Sequence, residues 1–509
     1  MGKMKSGAIV SYIYLFIESI SSIILTPFIV TYLGDSEYGI YGLAATLSSY
    51  VLLLDLGVGN ALVRYFAKYR VNAEPEKERK LMGVSIIFYS AASIIAIIVL
   101  AGTVILSPYI FAKGLTAYEI GRLKLMFWVV GVTAMMTLLE APFKRIIVAY
   151  EKFVLSKLIS LTKVCLRFAL VLMVLGDGGM GVEVLGVNLI LTALGAFFEA
   201  LYVFFELKVR PQFVGIEKDF YKEIFAYSGI VVLQMIATQI DAMVGQVTIS
   251  IFVPAASVCL AIYSVGINLT HYFQSIGGAV NSLLMPRAVK AVEKKSASDQ
   301  ILNLMVKITR VQLILLGLIY VVFLINGQSF INLWVGESKE SAYIVAAVIM
   351  FPQLLFLSQS IGSQLLWALN KHKIQALVQL ATSVINIFVT VTLIHVMPPV
   401  VGAAIGSAVS MLTGNVIVSG CIYKKAIGIS VFEYYKRQFK GILPCLLLTF
   451  VFGGLFTNFV PLGESWIAFV VRCAFAVSIY AFAMLIFGLN EDEKRMILGK
   501  RKRNHKEKE

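Results

Sequence analysis

The sequence predicts an all-α polytopic membrane protein of about fourteen transmembrane helices: two parallel-repeat lobes of six, followed by two C-terminal helices. Three observations predict it. Hydrophobic residues make up 59% of the 509 residues and charged residues 14%, with a mean hydropathy of +0.85; a soluble domain has roughly half and roughly a quarter. Apolar runs long enough to cross a bilayer follow one another through the whole chain, joined by short turns. Lys and Arg cluster in every other connection, as in a chain threaded back and forth with its basic loops on the cytoplasmic side.

Taken in order, the basic start Met1 to Lys5 precedes a first apolar segment over 8–33. That segment runs on without a small-residue cleavage pattern, so it is expected to be a retained helix. A turn around Gly34, Asp35 and Ser36 leads into 38–63, and the two segments make a helical hairpin. Further segments lie at 81–107, 123–148, 154–175, 183–206, 224–250, 256–284, 301–326, 341–368, 374–396, 400–423, 440–460 and 465–488. Basic connections follow the even-numbered segments: Arg64 to Lys80, Lys144 to Lys157, Lys208 to Lys222, Arg287 to Lys295, Lys371 with Lys373, Lys424 to Lys440, and the tail Lys494 to Lys508. Lys113 and Lys339 are the clear exceptions in the other turns. Both termini are therefore expected in the cytoplasm.

An internal repeat sets the lobes. Arg145 to Ile159 aligns with Gln364 to Val378, matching Ala149 with Ala368 and Lys152 with Lys371, and Gly59 to Leu62 aligns with Val280 to Leu283. The offset is six helices, an even number, so the halves point the same way about an axis along the membrane normal. The expected divisions are 1–210 for the N-lobe, 211–430 for the C-lobe, 431–490 for helices 13 and 14, and 491–509 for a basic cytoplasmic tail.

Several function classes are disfavoured. The formal charge of +15 sits in short loop clusters, which an anionic lipid surface explains without nucleic acid. The five cysteines lie inside apolar segments with no metal-ligand or disulfide spacing, so no metal is expected. No nucleophile triad or phosphate loop occurs, and no outer loop exceeds roughly twenty residues, which leaves no room for an extracytoplasmic catalytic domain. A non-enzyme is expected.

Charges in the hydrocarbon region are costly, so they mark function or a pairing. Glu18, Glu140 and Lys163 fall on the order of 12 to 15 Å from the cytoplasmic ends of their segments, with Arg167 one turn deeper. Lys163 and Arg167 are four apart and share a helical face. Two readings stand for that face: a cationic floor that holds a diphosphate, with Arg64 at the edge, or an ion pair between Lys163 and Glu140 that fixes two helices. Arg64 also reads as a snorkelling anchor. Glu18 and Asp55 are candidate coupling carboxylates beside Glu140, while Asp55-Leu-Gly-Val-Gly59 also suits close helix packing. In the second half, Asp241 lies between Gln239 and Gln246, and Thr382, Asn386 and Thr390 share a face of segment 11, with Ser410 and Thr413 in segment 12. A carboxylate with neutral oxygens suits a small hard cation; interhelical hydrogen bonds are the alternative.

The opening hairpin, through Pro27, Tyr32-Leu33-Gly34, Tyr38-Gly39, Asp55-Leu56-Gly57 and Asn60-Ala61-Leu62, resembles bacterial polysaccharide repeat-unit flippases of the Wzx type. These belong to the multidrug/oligosaccharidyl-lipid/polysaccharide exporter superfamily. Pro142 to Arg145 and Tyr150 to Phe153 extend the resemblance. It implies two six-helix lobes in a V, as in multidrug and toxic compound extrusion (MATE) transporters. It also implies alternating-access transfer of an undecaprenyl-diphosphate-linked oligosaccharide across the cytoplasmic membrane for capsule, O-antigen or exopolysaccharide synthesis. The diphosphate would meet the cationic face, the sugars the cavity between lobes, and the lipid tail helices 13 and 14. A polysaccharide polymerase and other assembly proteins are the implied partners. By similarity to lipid II flippases, Asp241, Asn386 and Thr413 would form a cation site, with Na+ or H+ as coupling ion and no other cofactor. Three alternatives remain. A lipid II flippase would carry arginines on helix 1, where this chain has Glu18. A MATE drug exporter would have twelve helices and an acidic cavity. A membrane-embedded polymerase would need a sizeable outer loop.

Overall fold

The computed structural model describes residues 2–48, 53–215, 228–293, 298–368, 372–428, 430–460, 462–491 and 493–494. All regular structure among them is helical. Apolar runs without water have to satisfy their backbone within the segment, and the helix is the form that does so. The longer helices are α1 (Gly2–Ser48), α2 (Val58–Val71), α3 (Pro75–Ile110), α4 (Ala117–Ala149), α5 (Phe153–Gly176), α6 (Gly181–Leu201), α7 (Ser228–Phe252) and α8 (Ala256–Glu293). They continue with α9 (Ser298–Val335), α10 (Ala342–Ala368), α11 (His372–Val396), α12 (Pro399–Ser410), α13 (Ser419–Ile427), α14 (Val431–Phe439), α15 (Ile442–Phe459) and α16 (Trp466–Ala483). Side chains such as Ile98 and Phe205, 63% and 74% exposed, cover the outside with hydrocarbon. That pattern is stable where the surrounding solvent is lipid.

Thirteen helices of the described residues are long and apolar enough to cross a membrane, against fourteen expected segments. The difference lies in the opening hairpin. Its two arms are joined inside α1 at a single non-helical residue, Gly34 (φ 70°, ψ 174°), a backbone state open to glycine because it has no Cβ. Residues before and after it, Thr26 and Tyr41 among them, line one cavity. The second segment, expected as one helix over 38–63, is broken: Leu56 (φ 48°) and Gly57 (φ 69°) are left-handed, and α2 starts anew at Val58. A left-handed residue cannot continue a right-handed helix, so Asp55 ends a short 3-10 turn at the break and does not lie in a helix interior.

The chain divides into two compact units. The first holds Met1–Ser275 and His372–Gly414; the second holds Ile276–Lys371 and Asn415–Glu509. This division does not fall at 210 and 430, because α7, the first part of α8, α11 and α12 join the first unit. There, α4 packs along α3 and α6, α1 along α5, and α11 against α7 and α12. One end of the unit is tied by polar groups. Glu37 accepts from Arg122 Nη2 at 2.7 Å and from the Gly181 backbone N–H at 3.2 Å. Ser36 donates to Glu119 at 2.5 Å, and Glu119 closes a capping box with Thr116 at the start of α4.

In the second unit α9 packs on α10, α15 and α16, and its organising side chain is Arg310. Only 1% exposed, Arg310 donates to both Glu493 carboxylate oxygens (2.8 and 3.1 Å) and to the carbonyls of Gln438 (3.0 Å), Lys440 (2.7 Å) and Gly488 (2.7 Å). One planar fork thereby fixes the end of α14, the start of α15 and the chain after α16. Removing one partner of a buried pair strands the other, at about 3–5 kcal/mol. Arg310→Ala is therefore expected to lower the melting temperature and membrane level of the full-length protein sharply. Arg310→Lys should not rescue it, since a point charge cannot serve two carboxylate oxygens and three carbonyls at once; thermal unfolding in detergent reads both variants.

Candidate functional site

The first unit contains a cavity of about 870 Å³ bounded by residues of α1, α4, α5, α6 and α7 and by the turn at Asp55. Four cations, Lys144, Arg145, Lys157 and Arg167, and two carboxylates, Asp55 and Glu140, reach its wall. Both carboxylates are engaged. Asp55 accepts from the Tyr89 hydroxyl, which also meets Arg145. Glu140, 5% exposed, takes a 2.6 Å contact from Lys163 Nζ. Lys163 lies flat against α6, where a Cβ on Gly195 would come within 1.9 Å of its Cε. The close approach of α5 and α6 at this glycine is what lets the ammonium reach Glu140.

Arg167 is differently placed. Its Nε is buried with no hydrogen-bond partner, and no carboxylate among the described residues lies within ion-pairing distance. The same side chain lines the large cavity, a second cavity of about 430 Å³ and a third of about 200 Å³. A guanidinium that lines cavities and has no paired carboxylate is served there by water or an anion.

The remaining expected residues fall as follows. Lys163 and Arg167 do share a face, yet only Arg167 is without a carboxylate. Glu18 hydrogen-bonds Tyr14, whose ring carries Lys157 Nζ at 4.7 Å from its centroid. Arg64 is exposed on α2 and does not line the large cavity. Asp241 accepts from Asn386 Nδ2 at 3.0 Å and from Ser410 Oγ at 3.3 Å, and the Asn386 oxygen in turn accepts from Thr390 at 2.9 Å. Thr413 is not brought to this cluster. It is exposed, lies in a π-helical stretch over Met411–Val418, and turns its hydroxyl to the Val409 and Ser410 carbonyls. Ser410 occupies the place expected of Thr413.

Sequence reasoning missed four residues here. Lys144 and Lys157 counted only as topology-setting loop charges, and Arg145 as one that also opens the repeat, yet all three line the cavity. Lys144 falls one helical turn after Glu140, a spacing that pointed to the same face. Glu199 on α6 also went unnoticed; it is 1% exposed, and neither carboxylate oxygen has a hydrogen-bond partner among the described residues. Its electrostatic neighbours are Glu140, Lys144 and Lys163. Among the described residues, no group of three or more His, Cys, Asp or Glu is arranged to hold a metal ion.

Known proteins share this arrangement of helices. The inward closed conformation of the lipid II flippase MurJ superposes with a TM-score of 0.72 at 13% identity, covering 97% of this chain and 99% of that one. An inward-facing multidrug resistance MATE family transporter of the MOP superfamily gives a TM-score of 0.65 at 12% identity, over 83% of this chain and 99% of that one. These likenesses establish the fold. In sequence, the uncharacterized membrane protein EpsK of Bacillus subtilis (strain 168) is 22% identical over 499 residues, 94% of each chain. The family model described as "Polysaccharide biosynthesis protein" matches residues 4–287, more than half of the chain. The chain thus belongs to the polysaccharide biosynthesis protein family.

Proposed function

We propose that this protein is a flippase that carries undecaprenyl-diphosphate-linked oligosaccharide repeat units from the inner to the outer leaflet of the bacterial cytoplasmic membrane by alternating access. The observation that carries the proposal is Arg167: a guanidinium with a buried, unpartnered Nε, opening on a cavity that three further cations reach. A diphosphate offers what that group lacks, several charged acceptor oxygens for a planar fork. Lys144, Arg145 and Lys157 supply the rest of the compensating charge, with both termini on the cytoplasmic side. The bound anion is exposed to water from one face of the membrane at a time, and its isoprenoid tail stays in lipid. Capsule, O-antigen and exopolysaccharide assembly all use such a lipid, with a polymerase acting on the delivered unit.

A coupling ion is a second element of the proposal, motivated by Asp241. Its carboxylate is satisfied by an amide N–H and a hydroxyl. Na+ would enter by displacing that N–H, the Asn386 amide turning its oxygen inward; H+ would enter on the carboxylate itself.

Full-length protein in proteoliposomes, loaded with an undecaprenyl-diphosphate-linked oligosaccharide under an imposed Na+ or H+ gradient, tests the function. Translocation is expected. Uptake of a cationic drug without lipid movement would place the protein among drug exporters instead. A charge-assisted hydrogen bond contributes about 1.5–3 kcal/mol, so Arg167→Ala should slow flipping by at least about tenfold at unchanged membrane level. Glu140→Gln with Lys163→Gln should retain most of the rate, because that pair holds helices and not substrate. Full activity of Arg167→Ala would remove the cationic site. Asp241→Asn is expected to abolish gradient dependence; identical Na+ and pH profiles would leave Asp241 a packing residue.

A further inference from the structure

The 430 Å³ cavity has a different chemistry from its larger neighbour. It lies within the first unit, between both arms of α1 and helices α7 and α8, with Arg167 of α5 at one edge. No Asp or Glu is among its lining residues, and Arg167 is the one Lys or Arg. Its polar wall groups are tyrosines, amides, hydroxyls and the His271 ring, set among apolar side chains such as Leu25, Ile29 and Ile267. Tyr38 and Tyr41 hold their rings 6.1 Å apart at 23°. Tyr272 shares a hydrogen bond with Thr26 across 3.2 Å, and Asn268 donates to the Tyr38 hydroxyl at 3.1 Å. Gln246 accepts from Thr46 and donates to Ser264 at 2.9 Å. The polar groups are thus aimed by their neighbours before any ligand arrives, which lowers the ordering cost of binding. Gly42 makes the wall narrow: a Cβ there would stand 2.2 Å from Ser264 Oγ, so α1 and α8 approach at that point as only glycine allows.

A neutral pyranose suits such a wall. Its ring presents apolar C–H faces, which lie against aromatic faces, and a rim of hydroxyls, each both donor and acceptor. Tyrosine offers a flat apolar body with a polar tip, and amides offer donor and acceptor together. A volume of 430 Å³ falls within the ~300–1,000 Å³ of small-molecule pockets. In a lipid-linked saccharide the first sugar is bonded directly to the diphosphate. A diphosphate held by Arg167 from the side of the large cavity therefore presents its attached sugar to the smaller one.

We propose that the cavity between α1, α7 and α8 is the binding site for the diphosphate-linked sugar and takes a neutral pyranose, with Tyr272, Asn268 and Gln246 as specificity-determining residues. The proposal rests on the assignment of Arg167 to the diphosphate, and the test separates the two. Affinities of the detergent-solubilised full-length protein are measured for undecaprenyl diphosphate and for undecaprenyl diphosphate carrying one N-acetylglucosamine. A site built to hydrogen-bond a substrate discriminates strongly against the analogue that lacks the partner groups. The wild-type protein should therefore prefer the sugar-bearing lipid by about tenfold or more. Asn268→Ala and, with its ring retained, Tyr272→Phe should each reduce that ratio to about twofold or less. Arg167→Gln should weaken both lipids. A wild-type ratio near one, or the full ratio in both pocket variants, overturns the sugar site while binding of the bare lipid still supports the diphosphate assignment. Failure to bind either lipid overturns both.

Discussion

A charge inside a bilayer must be paired, hydrogen-bonded or wet, and this rule arranges the whole molecule. Arg122 is placed against Glu37, Lys163 against Glu140, and Arg310 against Glu493, each contact 2.8 Å or shorter. Two of these pairs join segments distant in the chain, and Lys163 with Glu140 ties the consecutive helices α4 and α5, so the cost of burying the charge is offset only when the helices have docked. Such pairs specify which helix stands beside which more than they add stability, since hydrophobic replacements of similar shape are often as stable. Arg167 and Arg472 both have a buried, unpartnered Nε and no carboxylate among the described residues; Arg472 donates to Ser329 and to the Gly463 carbonyl, while Arg167 opens on the cavities.

The first unit separates two kinds of recognition that a lipid-linked saccharide needs. Cations gather on one wall, from the end of α4 and from α5, while neutral amides, hydroxyls and tyrosines gather on another, from α1, α7 and α8. Arg167 belongs to both. The segregation follows from helix chemistry. Lys144 and Lys157 sit near the end of α4 and the start of α5, whereas Asn268 lies well inside α8, where a neutral polar group is far less costly than a charged one.

Much of this was legible in the sequence. Helices announce themselves by apolar length, and the similarity to lipid II flippases, carried over helix by helix, put Asp241 with Asn386. What escaped depended on rotation and backbone state. Thr413 and Ser410 are three residues apart, close in phase on an ordinary α-helix; the π-helical turn beginning at Met411 changes that phase and leaves only Ser410 facing Asp241. The break at Leu56 and Gly57 has no hydropathy signal, since both residues fit an apolar run. Lys144, Arg145 and Lys157 satisfied the orientation rule so well that their place in the cavity wall went unread. Glu199 sits in a strongly apolar helix with no charge one turn away to suggest a partner.

The Arg310 fork bears on how the chain is made. Glu493 follows Arg310 by 183 residues, and the Gln438, Lys440 and Gly488 carbonyls are also synthesised long after it. At roughly 5–20 residues per second, the translating ribosome leaves that guanidinium without its partners for on the order of ten to forty seconds. The Arg310 fork of the second unit therefore cannot close before Glu493 has been made.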